Sequence, residues 1–203
     1  MTKQLSPSPA RKSGLPDLRK YDAHPGQARD AWERVTERVA QMELRNTSSM
    51  PPLIRKATAQ DIARIGAIAR AAYAKYVPRI GREPPPMVAD FAAEVAAGHV
   101  VVIGTAGAVD GYMIAWPETD TYFIDNIAID PARQGEGLGR QLIYHAVSEA
   151  KRRRLPAIRL YTNAAMTENL SIYAHIGFVE THRAVEKGFN RVYLRWTLPG
   201  REE

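Results

Sequence analysis

The chain contains no cysteine. That excludes disulfides, a thiolate nucleophile and cysteine-ligated zinc. No apolar run is long enough for a signal sequence or a membrane span, so the expectation is a cytoplasmic protein without membrane association. Aromatic residues make up only 8% of the sequence. No aromatic-and-arginine platform and no recognised nucleic-acid motif accompanies the scattered basic residues, which argues against nucleic acid as a partner. No internal repeat is evident, and no constellation of side chains suggests a metal.

What is present is ordinary in bulk and informative in detail. A length of 203 residues with 45% hydrophobic content allows one domain with a proper core plus an appendage. The net charge of +6 favours a polyanionic ligand. The decisive segment is Gln134-Gly135-Glu136-Gly137-Leu138-Gly139-Arg140. It follows Phe123 to Asp130, a run rich in β-branched and aromatic residues that closes at Pro131 and reads as a buried strand. It precedes a run with Leu138, Leu142, Ile143, Ala146 and Val147 at helical spacing. Glycines between a strand and a helix let the backbone approach an anion, and the helix adds unpaired amides and the positive end of its dipole. A ligand of nucleotide type follows.

The spacing separates the candidates. A P-loop needs Lys followed by Ser or Thr after its last glycine, and a dinucleotide turn needs Gly-x-Gly-x-x-Gly; neither is present. Gln134-x-x-Gly137-x-Gly139 resembles the acyl-CoA signature of the GCN5-related N-acetyltransferases, Gln/Arg-x-x-Gly-x-Gly/Ala. Leu170 to Phe178 resembles that family's Tyr-x-x-x-Gly-Phe segment, and Tyr76 to Met87, Phe123 to Arg140 and Leu160 to Tyr193 resemble a bacterial branch of it.

The resemblance covers Leu53 to about Leu198 and implies an α/β (α+β) fold with a mixed central sheet of six to seven strands flanked by helices. The domain organisation then reads as an extension over 1–49 and an acetyltransferase domain over 50–203. Within the extension, Met1 to about Gly26 is too poor in apolar residues to fold and reads as a flexible tail. Ala28, Trp32, Val35, Val39 and Met42 mark an amphipathic helix from Gln27 to Arg45, and Met50 is an alternative start. In the domain the pattern predicts a strand over Leu53 to Ala57 and a helix from near Ala59. A stiff loop is expected over Val77 to Pro86 and a helix over Met87 to Ala97. Strands over His99 to Gly104 and Val109 to Trp116 should pair as a hairpin. After the phosphate helix come a strand over Ala157 to Tyr161, a helix from Thr167 to His175, and strands over Phe178 to His182 and Arg191 to Thr197.

For chemistry, the resemblance implies acetyl-CoA as co-substrate and acetyl transfer to a primary amine of a small molecule or a protein, by direct attack in a ternary complex. A noncatalytic acyl-CoA-binding or sensing module is the competing reading. Backbone groups of Ile127, Ala128 and Ile129 would hold the pantetheine arm. Gln134, Gly135, Gly137, Leu138, Gly139 and Arg140 would receive the diphosphate. Tyr173 would protonate the leaving thiolate, a role its phenol can fill at neutral pH; the plainer alternative is packing on one helix face. Asp125 is the local candidate for the general base, against a role in orienting substrate or backbone. The family often has Asn seven residues before the tyrosine, but Met166 stands there, which leaves Asn169 as a cofactor contact. Arg79 and Arg82, in the proline-rich loop that borders the acceptor pocket in this fold, suggest an acceptor with an acidic group. Exposed edge strands and the amphipathic extension are compatible with a homodimer.

Overall fold

A computed structural model describes residues 52–105 and 107–198; the expected tail and amphipathic helix before Met50 lie outside the described residues. Seven strands form one mixed sheet: β1 (Leu53–Lys56), β2 (Val100–Gly104), β3 (Gly111–Pro117), β4 (Tyr122–Ile129), β5 (Ala157–Asn163), β6 (Val179–Glu186) and β7 (Phe189–Thr197), in the spatial order β1-β2-β3-β4-β5-β7-β6. All pairings are antiparallel except β4 with β5. The helices are α1 (Ile62–Tyr73), α2 (Val77–Ile80), α3 (Phe91–Ala96), α4 (Leu138–Arg152) and α5 (Thr167–Ile176).

Two apolar clusters hold the layers together. On one face, α4 buries Leu138, Leu142, Ile143, Ala146, Val147 and Ala150, the stripe read from the sequence, against Ile124, Ile158, Leu160 and Trp196. On the other, α1 contributes Ile65, Ile68, Ala69 and Tyr73, which pack with Phe91, Tyr112 and Ile114. Burial on both faces is why β2 and β3 are nearly unbroken apolar runs rather than alternating ones.

Three local expectations are revised. The helix over Met87 to Ala97 is shorter: a 3-10 turn spans Pro85–Val88, the chain extends through Ala89, and α3 starts only after Asp90, whose carboxylate accepts from the Ala93 amide at 3.0 Å. An N-cap of this kind fixes where a helix begins more firmly than apolar spacing does. The stiff loop of Val77 to Pro86 opens with the helical turn α2, which ends at Gly81 with φ 82°. The last two strands are longer than predicted and form a hairpin around Lys187 and Gly188, both at positive φ.

Entry into α1 is built as the sequence suggested. The Asp61 carboxylate accepts from the Thr58 amide at 2.7 Å and from the Arg55 guanidinium in two bonds of 2.8 Å. The Arg55 bonds hold its carboxyl well below the usual carboxylate range.

Candidate functional site

The β4–β5 pairing is short. It runs from Tyr122↔Ile158 to Ile124↔Leu160 and stops, although both strands continue. Beyond that point the two strands part, and the edge of β4 from Asp125 to Ile129 has no partner strand on that side among the described residues. On its other side β4 stays paired with β3, with a shift in register: Ile114 pairs with Asn126 and Ala115 with Ile124, leaving Asp125 unmatched. That is a β-bulge, which re-aims side chains and bends the strand. Before it, Ile124 faces the α4 cluster; after it, Ile127 does. Asp125 and its neighbour Asn126 therefore both point away from α4, where strict alternation would have separated them.

Each side chain is fixed by specific partners. Buried Asn126 offers its Oδ1 to the hydroxyls of Tyr73 (3.0 Å) and Tyr112 (3.2 Å), and the Tyr73 hydroxyl also lies 3.2 Å from the Ile127 carbonyl. Asp125 accepts from the Tyr161 hydroxyl at 2.8 Å. Burial pushes the Asp125 carboxyl above its ordinary value, and the Tyr161 hydrogen bond opposes the rise in part. Burial also raises the phenols of Tyr161 and Tyr173, so both stay protonated well above neutral pH.

The gap between the parted strands is a cavity open to solvent, about 590 Å³ with its mouth and the solvent space there included. Asp125, Ile127, Asn169 and Tyr173 all line it. Tyr173 is 8% exposed, its ring set edge-on to Phe178 at 5.7 Å, and among the described residues its hydroxyl has no hydrogen-bond partner. One turn earlier on α5, Asn169 accepts from the Tyr76 hydroxyl at 3.2 Å. Met166 is buried and its Sδ takes contacts from Thr162 and Asn169.

At the far end of β4 lies the glycine loop. Gly135 and Gly137 have φ of 87° and 81°, the left-handed region that side chains disfavour. Gly137 caps α4, whose first helical bond runs from the Gln141 amide to the Gly137 carbonyl at 3.1 Å. The amides of Leu138, Gly139 and Arg140 precede that bond and stand outside the helical ladder. The Gln134 side chain donates to the Ile129 carbonyl at 3.1 Å, tying the loop to the strand end. Ala128 lies between, its side chain in the α1 cluster. From Asp125 to Ile129 is four strand steps, about 13 Å; the cavity borders the first part of this exposed edge, and the loop before the helix-terminal amides follows its end.

The arginines expected at the acceptor pocket go elsewhere. Arg79 pairs with Glu168 at 2.8 Å, while Arg82 donates to the Lys187 carbonyl at 3.2 Å and lies 4.1 Å from the centre of the Phe189 ring. Neither lines the cavity; Arg191 does. Arg191, Tyr161 and the Asn126 network were not read from the sequence. The adjacent polar pair Asp125-Asn126 inside an apolar strand was the available signal for the bulge.

Comparison with known proteins decides the family. A family model described as the acetyltransferase (GNAT) family matches residues 66–178. The chain belongs to this family. Among relatives, the GNAT chain is 31% identical over 74 residues to the [ribosomal protein bS18]-alanine N-acetyltransferase of Escherichia coli, covering 36% of this chain and 50% of that one. It is 39% identical over 56 residues to mycothiol acetyltransferase of Nocardia farcinica, covering 28% and 18%. The matches thus span half or less of the curated relatives' lengths. Among solved structures, the ribosomal-protein-S18-alanine N-acetyltransferase of Escherichia coli superposes with TM-score 0.60 at 19% identity over 75% of this chain and 98% of that one. The PaiA N-acetyltransferase of Thermoplasma acidophilum, in complex with coenzyme A, gives TM-score 0.63 at 15% identity over 73% and 99%. These likenesses establish the GNAT fold.

Proposed function

We propose that the protein is an acetyl-CoA-dependent N-acetyltransferase that acts on a primary amine by direct attack, with no covalent enzyme species. The observation that carries this reading is an open strand edge, about 13 Å long from Asp125 to Ile129, that leads on one side into the loop before the helix-terminal amides of Leu138, Gly139 and Arg140 and on the other borders a cavity lined by a carboxylate and a phenol without a hydrogen-bond partner among the described residues. A cofactor with a diphosphate at one end and a reactive group on a long arm fits that arrangement. Family membership and the relatives' names support the same activity.

When bound, acetyl-CoA supplies a thioester whose thiolate is the leaving group. The residues present fit it: the loop from Gln134 to Arg140 offers main-chain donors for the diphosphate, and the open edge of β4 over Ile127, Ala128 and Ile129 offers backbone for the arm, with the Ile127 and Ile129 carbonyls already accepting from Tyr73 and the Gln134 side chain. Asn169 stands where it can contact the cofactor or hold α5 through Tyr76. Asp125, with its raised pKa, is suited to take a proton from an ammonium. Tyr173, kept protonated by burial, is suited to give one to sulfur. The domain assignment, 50–203 as the catalytic unit and 1–49 as an appendage, belongs to the same proposal. If Arg79 or Arg82 serves the acceptor, it must first leave Glu168 or the Lys187 carbonyl.

The test is thiol release from acetyl-CoA across a panel of amines, amino acids, polyamines and peptides, with acetyl-CoA binding measured separately. Acceptor-dependent release that is lost in Tyr173→Phe while binding persists supports the enzyme. Tight binding with no release from any acceptor favours the sensing module, and absence of binding removes the basis of both.

A further inference from the structure

The cavity has two charged groups, and both are placed by one side chain. Asp125 accepts from the hydroxyl of Tyr161. Arg191 lies over the face of the same ring, its guanidinium carbon 4.0 Å from the ring centre. Strand register explains the arrangement: on β7, Arg191 stands opposite Asn163 at the end of β5, two residues past the Tyr161↔Tyr193 pair, where β5 no longer has β4 beside it. The stacked guanidinium is therefore turned toward the gap and lines the cavity.

Arg191 is not used up by its protein partners. Its ion pair is a single contact of 3.3 Å with Glu186, a residue 44% exposed in its side chain and also bonded by the Tyr193 hydroxyl. Only the Glu186 side of that pair is exposed, and Tyr193 also bonds the guanidinium, which carries five N–H donors in a planar fork and so keeps donors to spare. Arg191 itself is 16% exposed, so a carboxylate meeting it is partly shielded from water. Around this polar end the wall is apolar, with Ile80, Pro84, Pro85, Pro86 and Phe189.

We propose that the acceptor is a free amino acid, its amine held at Asp125 and its carboxylate at the Arg191 fork, with an apolar side chain against the proline wall. This rests on the acetyl-transfer reading above and narrows it. Opposite charges set one phenol apart match a molecule whose amine and carboxylate are close together. The α-amine of a longer peptide or protein has no carboxylate beside it. On this arrangement Tyr161 is a positioning residue, since it acts through Asp125 and Arg191.

The experiment pairs each of several apolar amino acids with its carboxamide and compares kcat/KM for acetyl-CoA-dependent acetylation, in the wild type and in Arg191→Met and Arg191→Lys. One charge-assisted bidentate contact corresponds to a preference of about 10- to 100-fold for the carboxylate. The expected result is that preference in the wild type, its collapse in Arg191→Met, and a partial preference in Arg191→Lys, which keeps the charge and loses the fork. Retained acetyl-CoA binding shows that the variants are folded. A merely structural Arg191 would lower both members of each pair together and leave the ratio unchanged, which overturns the inference. Equal wild-type rates on acid and carboxamide also overturn it, while leaving acetyl transfer intact. If no amine is acetylated, calorimetric binding of amino acids that is lost in Arg191→Met would keep this pocket assignment and sink the transferase; loss of both signals would sink both.

Discussion

Replacing Gly135 by alanine isolates a backbone effect from a packing effect. A Cβ built at Gly135 meets nothing within 4 Å, so no clash contributes, but the residue sits at φ 87°. Holding alanine in the left-handed region costs about 1–2 kcal/mol. Restricting the unfolded chain returns about 0.4–1 kcal/mol, which leaves a net loss near 1 kcal/mol. With a urea m-value of about 2 kcal/mol/M, the unfolding midpoint should fall by roughly 0.5 M. Gly139 predicts the opposite sign. It lies in the first turn of α4, where a Cβ would touch only the Ile129 Cγ1 at an ordinary 3.6 Å, so Gly139→Ala should raise the midpoint through helix propensity, by up to about 1 kcal/mol. If the loop of Gly135→Ala escapes strain by relaxing to negative φ, the stability loss shrinks and the amides lose their aim. About 1 kcal/mol then appears as a roughly fivefold weaker coenzyme A affinity, read by calorimetry. A Gly135→Ala protein unchanged in both midpoint and affinity, or shifted the same way as Gly139→Ala, would refute the reasoning.

Other perturbations test single groups. Tyr173→Phe should lower turnover by about 10²- to 10⁴-fold with coenzyme A affinity retained, since the hydroxyl has no hydrogen-bond partner among the described residues to lose. In Tyr161→Phe the bond that opposes the burial shift of Asp125 is gone, so the Asp125 pKa should rise further. Because the base acts as carboxylate, the acid limb of the kcat/KM pH profile should then move to higher pH; an unmoved limb would separate Asp125 from the titration. Asp61→Asn should destabilise the fold at neutral pH by about 1–3 kcal/mol through its bonds to Arg55 and Thr58. The folded pKa of Asp61 is depressed, so this contribution is present above the unfolded carboxylate value of about 3.9 and fades as pH falls below it. Urea midpoints of variant and wild type should therefore converge in acid.

What the sequence disclosed and what it withheld divide along the distance between interacting residues. The α4 stripe and the glycine loop are local patterns of spacing and backbone freedom, and they stand where the sequence placed them. Asp125, Tyr173 and Asn169 were named singly; that they share one cavity depends on where β4 parts from β5, which no local pattern encodes. Arg79 and Arg82 drew attention because proline-rich loops border pockets, yet their partners Glu168 and Lys187 are 89 and 105 residues away in sequence. Arg191 reads as one polar member of an alternating strand, and only its register against Asn163 sets it at the gap. The shortened helix α3 shows the reverse case: its start is set by a bond three residues long, from the Ala93 amide to the Asp90 carboxylate, which apolar spacing does not register.

The short seam between β4 and β5 has a mechanical consequence. Four strands lie on one side of it and three on the other, and the two plates share three residue pairs at one corner. The fault line runs through the middle of the sheet, where most proteins are stiffest. A molecule lodged along it would act as a splint across both plates, so occupancy should slow amide hydrogen exchange in β4 and β5 together, far beyond the atoms it touches.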